Sequence, residues 1–253
     1  MWREVAVIVA FYAAYTVVRD LHATAGGLAE ATAHAVDLVR VERAVDLFHE
    51  QWLQHQVVGW KGFVEFWNSY YGTVHFLAVA FVLVVLYTRD RARYQRWRNI
   101  LALTTGLSLV GFALFPVAPP RLLPASYHFV DTLAHFDGVW NFSHGPIARA
   151  SNQYAAMPSL HSAWSTWCAL AAMPLVRPRW ARWLVASYPV VTLFGIVVTG
   201  NHYFVDAAAG AGVVALSWAL ARLVAGPPDA AVTGSAGGAG GPVAAQSRNS
   251  LRT

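Results

Sequence analysis

The chain has 253 residues, 57% of them hydrophobic and 12% charged, with mean hydropathy +0.41, a formal charge of +5 and a pI near 9.6. A soluble domain carries roughly 25% charged residues, so the composition excludes an ordinary soluble fold and points to a single membrane domain. The basic balance does not argue for nucleic acid, because the arginines cluster beside apolar runs, where anionic lipid headgroups and topology account for them.

Residues 5–18 are apolar and preceded by Arg3. They could be a first span or the core of a signal peptide, since small-x-small sites follow at Ala29-Glu30-Ala31 and Ala33-His34-Ala35. A retained span is preferred: over residues 2–21, with snorkelling arginines, it reaches the roughly 20 residues a bilayer needs. From 30 to 53 apolar Ala35, Leu38, Val39, Val45, Leu47, Phe48 and Leu53 alternate with Glu30, Asp37, Arg40, Glu42, Arg43, Asp46 and Glu50. That pattern predicts an amphipathic interfacial helix or helix pair.

A second span covers residues 63–87, polar in its first half through Glu65, Asn68, Ser69, Tyr70, Tyr71 and His75. Arg89, Arg91, Arg93, Arg96 and Arg98 follow it. A third covers about 100–117 and is stopped by Pro116, Pro119, Pro120 and Pro124. Residues 118–156 are a long connection with few periodic apolar positions. Further spans are expected at 158–176, 183–198 and 203–224, and Gly, Ala, Pro and Ser make 226–253 a disordered cytoplasmic tail. Eleven Trp and ten Tyr suit interfacial belts. Cys168, the single cysteine, lies in an apolar run, so no intramolecular disulfide forms and its thiol is read as packing.

The predicted class is therefore all-α: a polytopic membrane protein with six transmembrane helices, and an amphipathic interfacial helix between the first and second. Residues 1–225 form the domain. The turns at 88–98 and 177–182 carry the cations, which places them and both termini in the cytoplasm by the positive-inside rule. The other face, the outside of the plasma (inner) membrane, then receives Arg121 after the third span, His161 in the first turn of the fourth, and His202 with Asp206 at the start of the sixth.

Singly, each of these has an ordinary explanation. His202 and Asp206 can cap and pair, Arg121 can anchor at the interface, Ser159 can be a plain N-cap and His161 a satisfied polar group. Their convergence on one face favours a shared role. Asp206, four residues after His202, can hold one ring nitrogen and leave the other as an oriented nucleophile. Pro158 suits a helix start, and the amides after it, the Ser159 hydroxyl and the helix dipole make an anion site. Arg121 adds a fork suited to phosphate oxygens. Two histidines around an anion cradle point to phosphoryl transfer through a phosphohistidine, one attacking phosphorus and the other donating a proton to the leaving oxygen.

Pro119-Pro120-Arg121, Pro158-Ser159-Leu160-His161-Ser162 and His202-Tyr203-Phe204-Val205-Asp206 resemble the three signature motifs of the type 2 phosphatidic acid phosphatase superfamily. The resemblance, over about 63–222, implies a six-helix membrane fold. His202 would be the nucleophile, Asp206 its orienting partner, His161 the general acid, and Arg121 and Ser159 the phosphate binders. It implies no metal and no cofactor. Two cations of the superfamily's commonest pattern are absent: Leu114 stands where a Lys is usual, and Gly195-Ile196 where Ser-Arg is usual. Arg149, Lys61 or Arg43 could supply the missing charge.

The form T-x-x-H-Y-x-x-D, with the prolines and with Tyr70, Tyr71 and His75, is similar to the inositol phosphorylceramide synthase branch. That likeness adds headgroup transfer to hydrolysis, with an alcohol such as inositol or a lipid as acceptor. His75, in mid-span, is as readily a neutral helix-bonded histidine as a substrate contact, and stays outside the catalytic set. The substrate expected is a membrane lipid phosphate or phosphodiester, with no nucleic acid partner and no indication of oligomeric state. A transporter or an anionic-lipid-binding protein is the alternative, although the polar set lies at one mouth rather than the midplane and no internal repeat supports a transporter.

Overall fold

The computed structural model describes residues 2–21, 25–136 and 154–225. The helices are α1 (Trp2–Leu21), α2 (Ala25–Ala44), α3 (Glu50–Val57), α4 (Lys61–Arg89), α5 (Arg91–Leu114), the single turn α6 (Thr132–His135), α7 (Leu160–Ala172), α8 (Arg179–Val198) and α9 (Phe204–Ala225). Short 3-10 turns occupy Pro120–Leu122, Ala125–Tyr127 and Met173–Leu175. Extended pairing among the described residues is confined to an isolated parallel bridge between Val117 and Ala155, so the chain is all-α. The predicted tail lies outside the described residues.

Among the described residues four helices, α4, α5, α8 and α9, are long and apolar enough to cross a membrane, which fits an integral membrane protein. A continuous apolar run predicts a span over 158–176, but α7 stops at Ala172, where Pro174 enters a 3-10 turn. Its 13 residues rise only about 20 Å, short of the roughly 30 Å of hydrocarbon.

The amphipathic stretch divides into α2 and α3, broken where Asp46 takes the left-handed conformation at φ 52°. Ala31, Ala35, Leu38 and Val39 on α2 are buried against Val117, Ala118, Leu123 and Tyr203, so its apolar face packs on the protein itself. Its polar side is not all solvated: Glu42 and, on α3, Glu50 are fully buried.

The bundle closes around α7, which packs against α4, α5, α8 and α9. Trp167, Cys168 and Ala171 of α7 meet Val79, Val82 and Leu86 of α4 and Val214 of α9, and the Trp167 indole N–H donates to the Trp97 carbonyl at 2.9 Å. Cys168 is buried in this cluster as packing. Small residues permit the close approach, as elsewhere between membrane helices. A Cβ on Gly210 of α9 would strike the Ser159 carbonyl, so this glycine lets the start of α7 seat against α9.

The segment after α5 is stitched in place by its backbone. The Val117 N–H donates to the Tyr154 carbonyl, Ala118 N–H to Ala31, and Arg121 N–H to Gly200 at 2.8 Å. Gly200 has φ +68°, a conformation that favours glycine, and turns the chain between α8 and α9. Below it, the Gln54 side chain exchanges two hydrogen bonds with the Val130 backbone, and the Thr132 hydroxyl donates to the Thr199 carbonyl. Three remote pieces, 117–121, 130–132 and 199–202, thus form one rigid platform.

Candidate active site

Asp206 lies in the first turn of α9, fully buried, and its Oδ2 accepts from the Tyr203 N–H at 3.1 Å and faces His202 Nδ1 at 3.2 Å. The turn at 201–203 leading into α9 brings the two side chains together across four residues. With Asp206 ionised, Nδ1 carries the His202 proton and Nε2 presents its lone pair. That Nε2 faces His161 Nδ1 at 3.4 Å. His202, in the turn before α9, is 3% exposed. Burial pulls its imidazole down to about 3, with a contact to the Ala156 backbone pushing upward and the Arg121 charge pushing further down, so the ring is neutral at physiological pH.

His161 is held at the other end. Its Nε2 lies 3.2 Å from the Tyr71 carbonyl, and the Tyr71 ring stacks on it at 4.2 Å and 17°. The His75 ring is equally close, 4.2 Å from His161 at 57°, so α4 supplies one wall. Ser159 caps α7: its Oγ accepts from the Ser162 N–H, and its own N–H donates to the Asp206 carbonyl at 3.0 Å.

Arg121 donates from Nε to Asn201 Oδ1 at 3.0 Å and from Nη1 to Asp131 Oδ2 at 3.1 Å. Its side chain is only 8% exposed. Asp131 is itself fixed, since its other oxygen caps α6 through the Ala134 N–H. The fork is therefore aimed by two partners before any ligand arrives.

The structure brings all five predicted residues, His202, Asp206, His161, Arg121 and Ser159, to this one place. Arg149, a candidate for the missing charge, lies outside the described residues. Lys61 pairs with Glu65 at 3.6 Å, and Arg43 lies over the Phe48 and Tyr127 rings at 4.9 and 5.6 Å. Leu114 is 77% exposed, Ile196 is fully buried, and Trp67 occupies the space a Gly195 side chain would need.

Sequence reasoning missed Asn201, Asp131 and the Tyr71 carbonyl. Asn201 adjoins His202, which was a usable signal; Asp131 had none. Among the described residues no three His, Cys, Asp or Glu side chains stand where they could hold one metal ion. Chemically, the arrangement offers an oriented neutral imidazole, a second imidazole next to it, a helix N-terminus and a fixed guanidinium, the components for an in-line displacement at phosphorus.

A sequence model described as the PAP2 superfamily matches residues 36–220, most of the chain. No curated protein and no solved structure matches.

Proposed function

The chain belongs to the PAP2 superfamily, and from that premise we propose that it is a lipid phosphatase or phosphotransferase acting on a lipid phosphate or phosphodiester at the extracytoplasmic face through a phosphohistidine. The observation that carries this reading is the facing pair, His202 Nε2 and His161 Nδ1, with Asp206 on the far nitrogen of His202.

In the first displacement the His202 Nε2 lone pair attacks phosphorus, an N–P bond forms and the P–O bond to the leaving group breaks. His161 supplies the proton that the leaving oxygen takes. Water or an alcohol then gives its proton to His161 and attacks phosphorus, and the N–P bond breaks. Arg121, the Ser159 hydroxyl and the free amides opening α7 bind the phosphoryl oxygens. No metal takes part in these steps.

In the plasma (inner) membrane, α1 joins the four long apolar helices as a fifth crossing, and α7, continued by the 3-10 turn at Met173–Leu175 but shorter than the hydrocarbon, is a sixth, partial one held inside the bundle. The arginine-rich turns and both termini face the cytoplasm, and the acyl chains of the substrate enter sideways between helices. Transfer of an inositol-phosphate-type headgroup to an alcohol is the second reading. It draws on Tyr70, Tyr71 and His75, because Tyr71 and His75 both lie against the His161 ring.

Phosphate-release and headgroup-exchange assays on a panel of lipid phosphates and phosphodiesters test both. Turnover that survives EDTA, is blocked by vanadate and is lost in His202→Ala supports the proposal. An active His202→Ala protein overturns it.

A further inference from the structure

The first turn of α9 is capped from a distance. The Val205 N–H donates to Glu42 Oε1 at 2.7 Å and the Phe204 N–H to Glu50 Oε1 at 2.9 Å. Asp206 takes the Tyr203 N–H. Helix-opening amides have no partner within their helix, and a local Ser, Thr, Asn or Asp cap commonly takes one. Here three successive amides go to three carboxyl groups, two of them brought from α2 and α3, and all three residues are 0% exposed.

Building two buried glutamates into this place needs a reason beyond capping, since burying charge is costly unless it is paired. The helix dipole favours negative charge at this end, but Glu42, Glu50 and Asp206 together exceed what it neutralises. A proton resolves the excess. Glu42 Oε2 and Glu50 Oε2 have no partner among the described residues while both carboxyls are ionised, and a hydrogen between these neighbours makes one a donor and the other an acceptor.

Burial, then the Glu50 charge and their mutual hydrogen bond, push the Glu42 carboxyl up to about 9. The groups facing it are Glu50 from α3 and Asp206 and Tyr203 from the α9 turn. Tyr127, from the 3-10 turn at Ala125–Tyr127, also bears on Tyr203. The neighbouring Arg43 turns to Phe48 and Tyr127.

We infer that Glu42 and Glu50 are positioning residues for His202: from two helices outside the motif-bearing bundle they fix the opening amides of α9 and so hold His202 and Asp206 in register with His161. The inference rests on His202 being the nucleophile. Neither glutamate touches the reacting atoms, and each acts through the turn. A displaced turn moves Nε2 off the line of attack, and a misplacement of about 1 Å costs up to about a hundredfold in rate.

The test uses the full-length protein in detergent with dioctanoyl phosphatidic acid as probe. Glu42→Ala and Glu50→Ala are expected to lower kcat about tenfold to a hundredfold with little change in KM. Glu42→Gln keeps an acceptor for Val205 and a donor for Glu50. It is expected to rescue most of kcat at neutral pH and to remove the alkaline fall in kcat expected of the wild type near pH 9.

Hydrogen exchange of the 203–206 segment in the unliganded protein gives a readout without turnover: faster in both alanine variants, restored in Glu42→Gln. Wild-type kcat in the alanine variants, a Glu42→Gln protein as impaired as Glu42→Ala or unfolded, an unchanged alkaline limb, or unchanged exchange would each overturn the inference. If the wild type turns over no member of the lipid panel, the proposed function fails, while the exchange result still reports on the cap.

Discussion

His161 is flanked on both sides, with Nε2 3.2 Å from the Tyr71 carbonyl and Nδ1 3.4 Å from His202 Nε2. A carbonyl only accepts, so Nε2 carries a hydrogen and the nitrogen that gains and loses a proton is Nδ1. In the proposed mechanism that nitrogen gives its proton to the leaving oxygen and takes one from the incoming oxygen. The stacked Tyr71 ring fixes the plane of the imidazole, so in the proposed mechanism one ring position would serve both halves of the reaction.

The general-acid role proposed for His161 gives a leaving-group signature. His161→Ala is expected to lower kcat about a hundredfold to ten-thousandfold on substrates with an alkoxide leaving group. On p-nitrophenyl phosphate, whose leaving oxygen needs no proton, the loss should be far smaller. Equal losses on both substrates would show that His161 binds rather than transfers a proton.

On the proposed mechanism His202→Ala removes the atom that would bond to phosphorus, so no phosphoenzyme should form and kcat should fall to background. Acid-labile, base-stable label from 32P-substrate, located at His202 by mass spectrometry in the wild type and absent from the variant, checks this. Vanadate, which offers phosphorus-like geometry to Nε2, should inhibit the wild type, and EDTA should leave it active.

The five catalytic and phosphate-binding candidates were legible because each is tied to a local rule: a His and an Asp four apart, a Pro-Ser opening a helix, an Arg after a helix-stopping proline pair. Counting spans then put them on one face. The glutamates were not legible. Helical periodicity says which side of α2 Glu42 occupies, not that the start of α9 covers that side, so a buried cap looked like a solvated stripe. Asp131 is hidden for a similar reason, since nothing local distinguishes a loop aspartate that meets an arginine. The early end of α7 was readable from Pro174, but apolarity on both sides of it masked the stop.

Arg121 is expected to resist conservative replacement. Its Nε and Nη1 are committed to Asn201 and Asp131, and a lysine ammonium is a point charge that cannot reproduce that planar fork. Arg121→Lys should lower kcat/KM about tenfold to a hundredfold, in the range of one to three kcal/mol of lost phosphate stabilisation. Asp131→Asn, which keeps one accepting oxygen of two and loses the charge, should cost less than Arg121→Lys. Steady-state kinetics of both variants on one lipid substrate decide it; a lysine protein with full activity would remove the fork from the site.

Stability should depend on pH through Glu42 in a direction opposite to that of a salt-bridged acid. The carboxyl has an ordinary value of 4.5 and is held at about 9 in the fold. Below 4.5 both folded and unfolded chains carry the proton and the group is neutral to folding. Between 4.5 and 9 the unfolded chain has released it while the folded chain keeps it, so unfolding releases a proton and stability falls as pH rises. Above 9 the folded carboxyl is ionised too and the dependence ends. His202, lowered from 6.5 to about 3, runs the other way, its contribution present above 6.5 and lost toward 3. Comparing the wild type with Glu42→Gln removes that background, because both proteins retain His202. The apparent Tm of the wild type should drop relative to Glu42→Gln steadily from pH 5 to pH 9 and then run parallel to it. A constant difference across that interval would mean that Glu42 is ionised in the fold, leaving no proton to join it to Glu50.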